Sequence, residues 1–434
     1  MSVLMDKDFT EALPSEFDLF ELPPHQTSVF QHYYDNVRPV STITDLSPVE
    51  FLISNGGSDY IDLKQTRLHV KLKVIHADGT NLTKAEHCAP INLLLSSLWS
   101  QMQVYLQNQL VSSNNTLYAY KAYIQAMLYN GAEAKNTQLQ SQLFYADSGT
   151  IDGDIDSTDT QTGINDGVIV RSHFIKESKS LTLEGPLYED IFCMRRCLIN
   201  NVNIGIKLFR NNAAFCLMSG VVGKEYKIEL QDVYLKVCKL RMNNALILTH
   251  SKLLEKNNAL YPYVSKTVTM GSIPSSQTMF QWDNLFQSNC PTRAVVAFVK
   301  AGAVGGSYTL NPFNFQSSNI KSVGLYLDGV SVPGRPLETD DVSTYVNLFD
   351  GFNTWREDTG NAISRMRFDL GCAFYVFNLE PLFTDGTYLN LIKSGNVRLE
   401  VHFKSALTQT LNVIVYSENP SLLEVDQTRN IFVK

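Results

Sequence analysis

The sequence predicts an all-β protein of two tandem antiparallel sandwiches or barrels, with a few inserted helices. Three observations point there. One motif occurs twice: Pro186-Leu187-Tyr188-Glu189-Asp190 with Asn201-Val202-Asn203-Ile204-Gly205-Ile206-Lys207-Leu208, and Pro381-Leu382-Phe383-Thr384-Asp385 with Asn396-Val397-Arg398-Leu399-Glu400-Val401-His402-Phe403. The copies lie 195 residues apart without a gap (381−186, 396−201). A fainter pair, Val104-Tyr105-Leu106 with Val111 and Leu325-Tyr326-Leu327 with Val332, lies 221 apart (325−104, 332−111). Each member leads into a Tyr-bearing, helix-like stretch ending near Gly131 or Gly351. Repeats at so long a period mean two copies of one domain, not a solenoid. The second observation is the period-2 alternation of many short segments, as in half-buried strands. The third is that strands and helices do not alternate, which disfavours a parallel α/β sheet.

In chain order, residues 1–22 mix acidic and apolar residues without a period and read as an N-terminal arm. Leu22-Pro23-Pro24 then stops any helix and starts extended structure. The first sandwich is expected over 23–242, with strands at Val49–Ser54, Arg67–Ile75, Met102–Val111, Val168–Phe174, Leu181–Leu183, Val202–Phe209 and Ile228–Val237. Helices Tyr118–Tyr129 and Ala132–Leu143 interrupt them. Residues 147–167, rich in Asp, Gly, Thr and Ser, read as an exposed acidic loop insertion. The two repeat spacings differ by 26 residues (221−195), most of which this loop supplies. Residues 243–262 are a helical connector, with its helix at Ala245–Ala259 and Pro262 as the stop. The second sandwich, 263–434, is again a run of short strands, at Tyr263–Met270, Arg293–Lys300, Val323–Val332, Phe374–Leu379, Val397–Lys404, Leu411–Ser417 and Leu423–Val433.

Composition bounds the function. At 434 residues each half can bury its own core, and 44% hydrophobic against 18% charged residues is globular. The net charge of −7 has no basic block to offset it, so direct genome binding is not expected. No apolar run reaches about 18 residues, and Met1 to Glu21 is acidic, so neither a spanning helix nor a secretory signal is expected. The seven scattered cysteines read as reduced, mostly buried thiols.

No constellation carries catalysis. Asp152-Gly153-Asp154-Ile155-Asp156 opens like a calcium loop, but Ser157 and Gly163 stand where that loop needs Gly and Glu. Cys193 and Cys197 lack a second ligand pair for zinc. His69 and His76 are an odd number apart and point to opposite faces of a regular strand. Asn81 and Asn114 match the glycosylation acceptor but carry no meaning without secretion. Gly302–Gly306 precedes a strand-like segment rather than a phosphate-binding helix. No catalytic, cofactor-binding or metal residue is assigned, and the chain is not expected to be an enzyme.

From Leu22 to the C-terminus, the order of several segments resembles the double jelly-roll major capsid proteins of Polinton/Maverick elements and adintovirus-like viruses. These segments are Leu22-Pro23-Pro24-His25-Gln26-Thr27-Ser28, Ser47-Pro48-Val49-Glu50-Phe51, Asp59-Tyr60-Ile61-Asp62-Leu63, Tyr118-Ala119-Tyr120 with Tyr123-Ile124, Leu310-Asn311-Pro312-Phe313-Asn314-Phe315-Gln316, Asn361-Ala362-Ile363-Ser364, and Val397-Arg398-Leu399-Glu400-Val401. The resemblance implies two eight-stranded jelly rolls per chain. It implies homotrimers with a pseudo-hexagonal footprint that tile an icosahedral virion shell assembled inside the host cell. Neighbouring trimers and penton or minor capsid proteins would be the partners, without sequence-specific nucleic-acid binding. The alternatives are a minor capsid or vertex protein, or a carbohydrate-binding β-sandwich protein, which should show a carboxylate pair across an aromatic cleft.

Overall fold

The architecture is seen in a computed structural model, which describes residues 13–45, 47–84, 86–153, 163–221, 223–287, 289–317, 319–358, 360–380, 391 and 393–434. In the first half the strands are β1 (Val29–Val37), β2 (Val49–Ile53), β3 (Tyr60–His76), β4 (Cys88–Pro90), β5 (Trp99–Leu106), β6 (Gln109–Leu110), β7 (Leu181–Pro186), β8 (Ile204–Arg210), β9 (Leu217–Ser219) and β10 (Tyr226–Met242). In the second they are β11 (Ala259–Ile273), β12 (Met279–Trp282), β13 (Asn289–Cys290), β14 (Arg293–Lys300), β15 (Ile320–Leu327), β16 (Val330–Glu338), β17 (Tyr375–Asn378), β18 (Lys393–Ser394), β19 (Val397–Phe403), β20 (Leu411–Val425) and β21 (Ile431–Val433).

Among the described residues no sheet mixes strands from before and after the helix Asn244–Leu254. The first half forms sheets β1-β10-β3-β7 and β2-β8-β5-β6, and the second forms β11-β20-β14-β17 and β12-β19-β15-β16. Setting aside the short pairs β4–β9 and β13–β18 and the terminal β21, both halves thread eight strands through the same order, all antiparallel. This interleaving of two Greek keys is a jelly roll. Alternation makes each wall. Leu68, Val70, Leu72 and Val74 of β3 turn inward and Arg67, His69, Lys71 and Lys73 outward; Val397, Leu399 and Val401 of β19 do the same for the second half.

The repeat is present with a changed register. Val104 pairs with Ile206, and Leu325 with Leu399. Likewise the Gln107 N–H donates to the Asn203 carbonyl (2.8 Å) and the Asp328 N–H to that of Asn396 (2.9 Å). If Val104 corresponds to Leu325, Asn203 rather than Asn201 corresponds to Asn396, a spacing of 193 (396−203). A two-residue slip leaves every side chain on the same face, so the pattern alone could not detect it. The motif copy Pro381–Asp385 lies outside the described residues.

Several expected elements differ. Val168–Phe174 is not a strand but the helix Asp166–His173, because Asn165 caps it by accepting the Val168 N–H (3.2 Å). Met102–Val111 and Val323–Val332 are hairpins, β5–β6 and β15–β16. The second turns at Asp328-Gly329, both at positive φ (49° and 84°). Leu411–Ser417 and Leu423–Val433 are mostly one strand, β20, running through Pro420. Pairing with β14 ends at Glu418, so the missing N–H of Pro420 breaks no ladder there. The connector helix ends at Leu254, and β11 begins at Ala259, ahead of Pro262. Ala132–Leu143 splits into a short α-helix, Ala132–Asn136, and a 3-10 turn, Gln138–Gln142.

The acidic insertion needs the main correction. Asp154, Asp156 and Asp159 lie outside the described residues, but the flanks are structural. Asp147 is buried and pairs with the fully buried Arg171 at 2.6 Å. Asp152 pairs with Lys300 (2.9 Å) and accepts the Asn311 N–H (2.9 Å), and Gly167 packs on the Ala146 carbonyl. An Arg with no access to water demands a carboxylate partner, and Asp147 supplies it.

Candidate assembly site

What the elements bring together is a buried seam between the two jelly rolls. Its centre is the helix Tyr118–Tyr129, in the insertion between β6 and β7, with every residue but the last buried. The loop after β14 meets it. Phe313 stacks flat on Tyr123 (centroids 4.0 Å, 4° between planes) and edge-on to Tyr120 (5.8 Å) and Phe215 (6.2 Å). Each such pair contributes about 0.5–1.5 kcal/mol beyond its burial. Two of the segments that carry the family resemblance, Tyr118–Ile124 and Leu310–Gln316, therefore touch.

Polar groups fix the angle of the seam. Lys121, buried, bonds Glu189 (2.8 Å) and Asp190 (3.0 Å), and Asp190 also accepts the Lys266 N–H of β11 (2.9 Å). Burial, only partly offset by Lys121 and reinforced by Asp190, pushes the Glu189 carboxyl up to about 7. Tyr129 donates to Glu418, which pairs with Arg293 (2.7 Å), and Lys266 lies over the Tyr129 ring (4.7 Å). Lys135 donates to the Met127 carbonyl (2.7 Å) and to the Asn361 carbonyl of the second half. Further along, Arg429 bonds Asn200 (2.9 Å) and the Tyr261 hydroxyl accepts the Ile199 N–H (3.1 Å).

Ion-paired groups of both signs in a dry interface resist sliding, because any displacement strands a charge. The motif Pro186–Asp190 is thus a seam element whose acids serve Lys121. The sequence showed its acids and its repeat, but not the lysine 65 residues upstream of Pro186 (186−121).

The residues weighed for chemistry do not converge. Among the described residues no three His, Cys, Asp or Glu side chains gather as a metal site. His69 faces outward, stacked on Tyr234 (4.3 Å), while His76 turns in toward Glu86 (3.1 Å). Cys88, Cys216, Cys238, Cys290 and Cys372 are buried, Cys193 is exposed and Cys197 half-buried, all unpaired. No helix among the described residues is long and apolar enough to cross a membrane.

Solved structures similar to this one are viral. The chain matches the Sputnik virophage structure with a TM-score of 0.65, at 11% identity over 98% of this chain and 93% of that one. The mavirus major capsid protein aligns over 100% and 97% (TM-score 0.54, 11% identity), and the PBCV-1 capsid over 95% and 98% (TM-score 0.56, 11% identity). The chain is a double jelly roll. An uncharacterized protein of Caenorhabditis elegans is 26% identical over 95% of this chain and 99% of its own length. No family model matches. These solved relatives are named as capsids and a virophage, not as enzymes.

Proposed function

We propose that the chain is a major capsid protein, three copies of which form a pseudo-hexagonal capsomer of an icosahedral shell. The observation that carries this is the seam. It joins two jelly rolls of the same strand order through buried aromatic and ionic contacts, making one rigid pair with nearly repeated walls. Three such pairs present six similar barrels under true threefold symmetry, which closes as a ring. The arm is consistent with use at a contact between chains: Phe17, Leu19, Phe20 and Leu22 are 66–96% exposed. We take 1–22 as this arm, 23–242 as the first barrel, 243–258 as the connector and, since β11 starts at Ala259, 259–434 as the second barrel.

A Polinton/Maverick or adintovirus-like element is the source the reading favours. It is supported by the ordered segments that carry the resemblance, and by a nematode relative alongside structural likeness to viruses. Shell assembly within the host cell and contacts with penton or minor capsid proteins follow from the same reading. Negative-stain images and light scattering of the purified protein test it. Six-lobed particles of three-chain mass are expected, and a well-folded monomer at micromolar concentration would sink it.

A further inference from the structure

A contact made once inside this chain has a second pair of matching surfaces that stay open. Within the chain, the helix Tyr118–Tyr129 from the first half's insertion lies against the second half's larger sheet. Asn115 beside it bonds the Val268 carbonyl (2.8 Å), Gln125 bonds Lys266 (3.0 Å), and Tyr129 reaches Glu418. The second half has its own insertion between β16 and β17, with the helix Val342–Asp350. Only Thr344 and Leu348 of that helix are buried.

We propose that residues 338–358 of a second copy of this chain dock on the outer face of β1-β10-β3, repeating between chains the contact that Tyr118–Tyr129 makes within one. This rests on the capsomer reading and names the surfaces that close the ring.

Register supports it first. In the second half, Arg293 stands opposite Asn378 and Glu418, with Lys266 beyond on β11. The matching corner of the first half is Arg67, opposite Pro186 and Lys236, with Asn36 beyond on β1. The covered corner is dry: the side chains of Arg293 and Glu418 keep 14% and 4% of their surface. The uncovered one is wet, Arg67 and Lys236 keeping 43% and 29%.

Charge supports it next. Lys236 stands where the second half has Glu418, so the open corner is short of a carboxylate. Arg67, His69 and Lys236 share Glu184 (3.3, 3.2 and 2.6 Å), and Lys71 and Lys73 follow along β3, opposite Asp232 and Glu229 of β10. Residues 338–358 hold six acids, Glu338, Asp340, Asp341, Asp350, Glu357 and Asp358, against the single cation Arg356. Asp341 and Asp340 are engaged by Arg335 and Lys404, and the other four are exposed and form no ion pair among the described residues.

Shape supplies the anchor. Trp355 is 55% exposed and Val342 48%. Beside Arg67 lies an open cleft of about 480 Å³, bordered by Leu139, Gln142, Glu184 and Pro186. At the covered corner an aromatic ring already fills the corresponding place. Tyr129, the last residue of its helix, meets Phe352 edge-on (5.2 Å) with Arg293 over the Phe352 ring (4.3 Å). A buried aromatic ringed by charge is the usual energetic centre of an interface. Because the two surfaces differ, the contact is heterologous, and three chains close it.

The test uses the full chain. Trimers mixed from 14N- and 15N-labelled chains are treated with a carbodiimide. Zero-length links are expected from Lys71, Lys73 or Lys236 of one chain to Asp350, Glu357 or Asp358 of the other. By sedimentation, K71E/K73E and Trp355→Ala should each raise the concentration for half-assembly at least tenfold, with the circular dichroism of a folded protein. Adding E357K/D358K to K71E/K73E should restore assembly. A wild-type trimer whose links all fall elsewhere, or whose assembly ignores these variants, overturns this mapping and leaves the capsomer. A monomeric wild type overturns the capsomer itself, and the mapping with it.

Discussion

β3 and β14 occupy the same place in the two jelly rolls, each third in its strand order and each between the same neighbours, yet they read differently. From Arg67 to Val74, β3 alternates inward apolar with outward charged or polar residues. In β14, Ala294-Val295-Val296-Ala297-Phe298-Val299 are all buried. Topology is equal, so topology is not what the pattern records. It records how many faces are covered. β14 is covered on its outer side because the chain's own helix Tyr118–Tyr129 and the Phe352 segment lie over that sheet, while β3 presents its outer side to water. One chain thus carries the same wall in two states, finished and unfinished.

The difference can be broken most severely at Lys121. Removing its ammonium leaves Glu189 and Asp190 buried beside each other with no cation at 3 Å. Lys121→Ala should cost about 3–5 kcal/mol, the range for breaking a buried ion pair. Chemical denaturation measures it. A loss below about 1 kcal/mol would mean that water reaches the seam and that β14 is less covered than its burial indicates.

A second probe is pH. Burial, with the Arg367 charge adding to it, holds the Lys135 amine down at about 7, from an ordinary 10.5. A neutral amine has two hydrogens, matching the two carbonyls of Met127 and Asn361. Between pH 7 and 10.5 Lys135 of the unfolded chain holds a proton that it lacks in the folded chain, so this residue's contribution to stability rises with pH across that window. From pH 7 to about 8.5, below the range where the buried thiols start to ionise on unfolding, the wild type should gain stability relative to Lys135→Met, read from unfolding midpoints. An unchanged slope would show that Lys135 reaches water and does not bridge the halves in a dry seam.

The walls are legible in the sequence because alternation is a local property. Arg293–Lys300 and Val397–Phe403 stand close to where the pattern puts them. What fails depends on distant residues. Val168-Ile169-Val170 is β-branched and reads as strand, but Asn165 caps a helix there and Arg171 must reach Asp147. The acidic flank looks solvated because Arg171 and Lys300, its partners, lie 24 and 148 residues from Asp147 and Asp152. The Asp328-Gly329 turn carries a readable signal, but the repeat with Val332 suggests an unbroken strand and masks it. The seam is visible only as disconnected aromatic segments. Nothing in their spacing tells that Tyr123 stacks on Phe313, 190 residues on (313−123).

The gentlest probe compares the sheet-edge strands β7 and β17. Thr182 of β7 points outward and is exposed. On β17, Tyr375, Val376 and Phe377 are all buried, and Asn347 of the covering helix donates to the Val376 carbonyl at 2.7 Å. Val376→Ala removes two buried methyl groups next to Gly351, whose backbone packs closely against that side chain. At roughly 0.8 kcal/mol per buried carbon, plus a cavity term, it should lose about 2 kcal/mol. Thr182→Ala removes atoms that water already touches, so it should stay within about 0.5 kcal/mol of wild type. If assembly also covered β7, Thr182→Ala would cost more in the trimer than in the dissociated chain. Equal small effects in both states would keep the docking surface clear of the Leu181–Thr182 end of β7. A Thr182 effect that grew with assembly would extend that surface to the edge of the sheet.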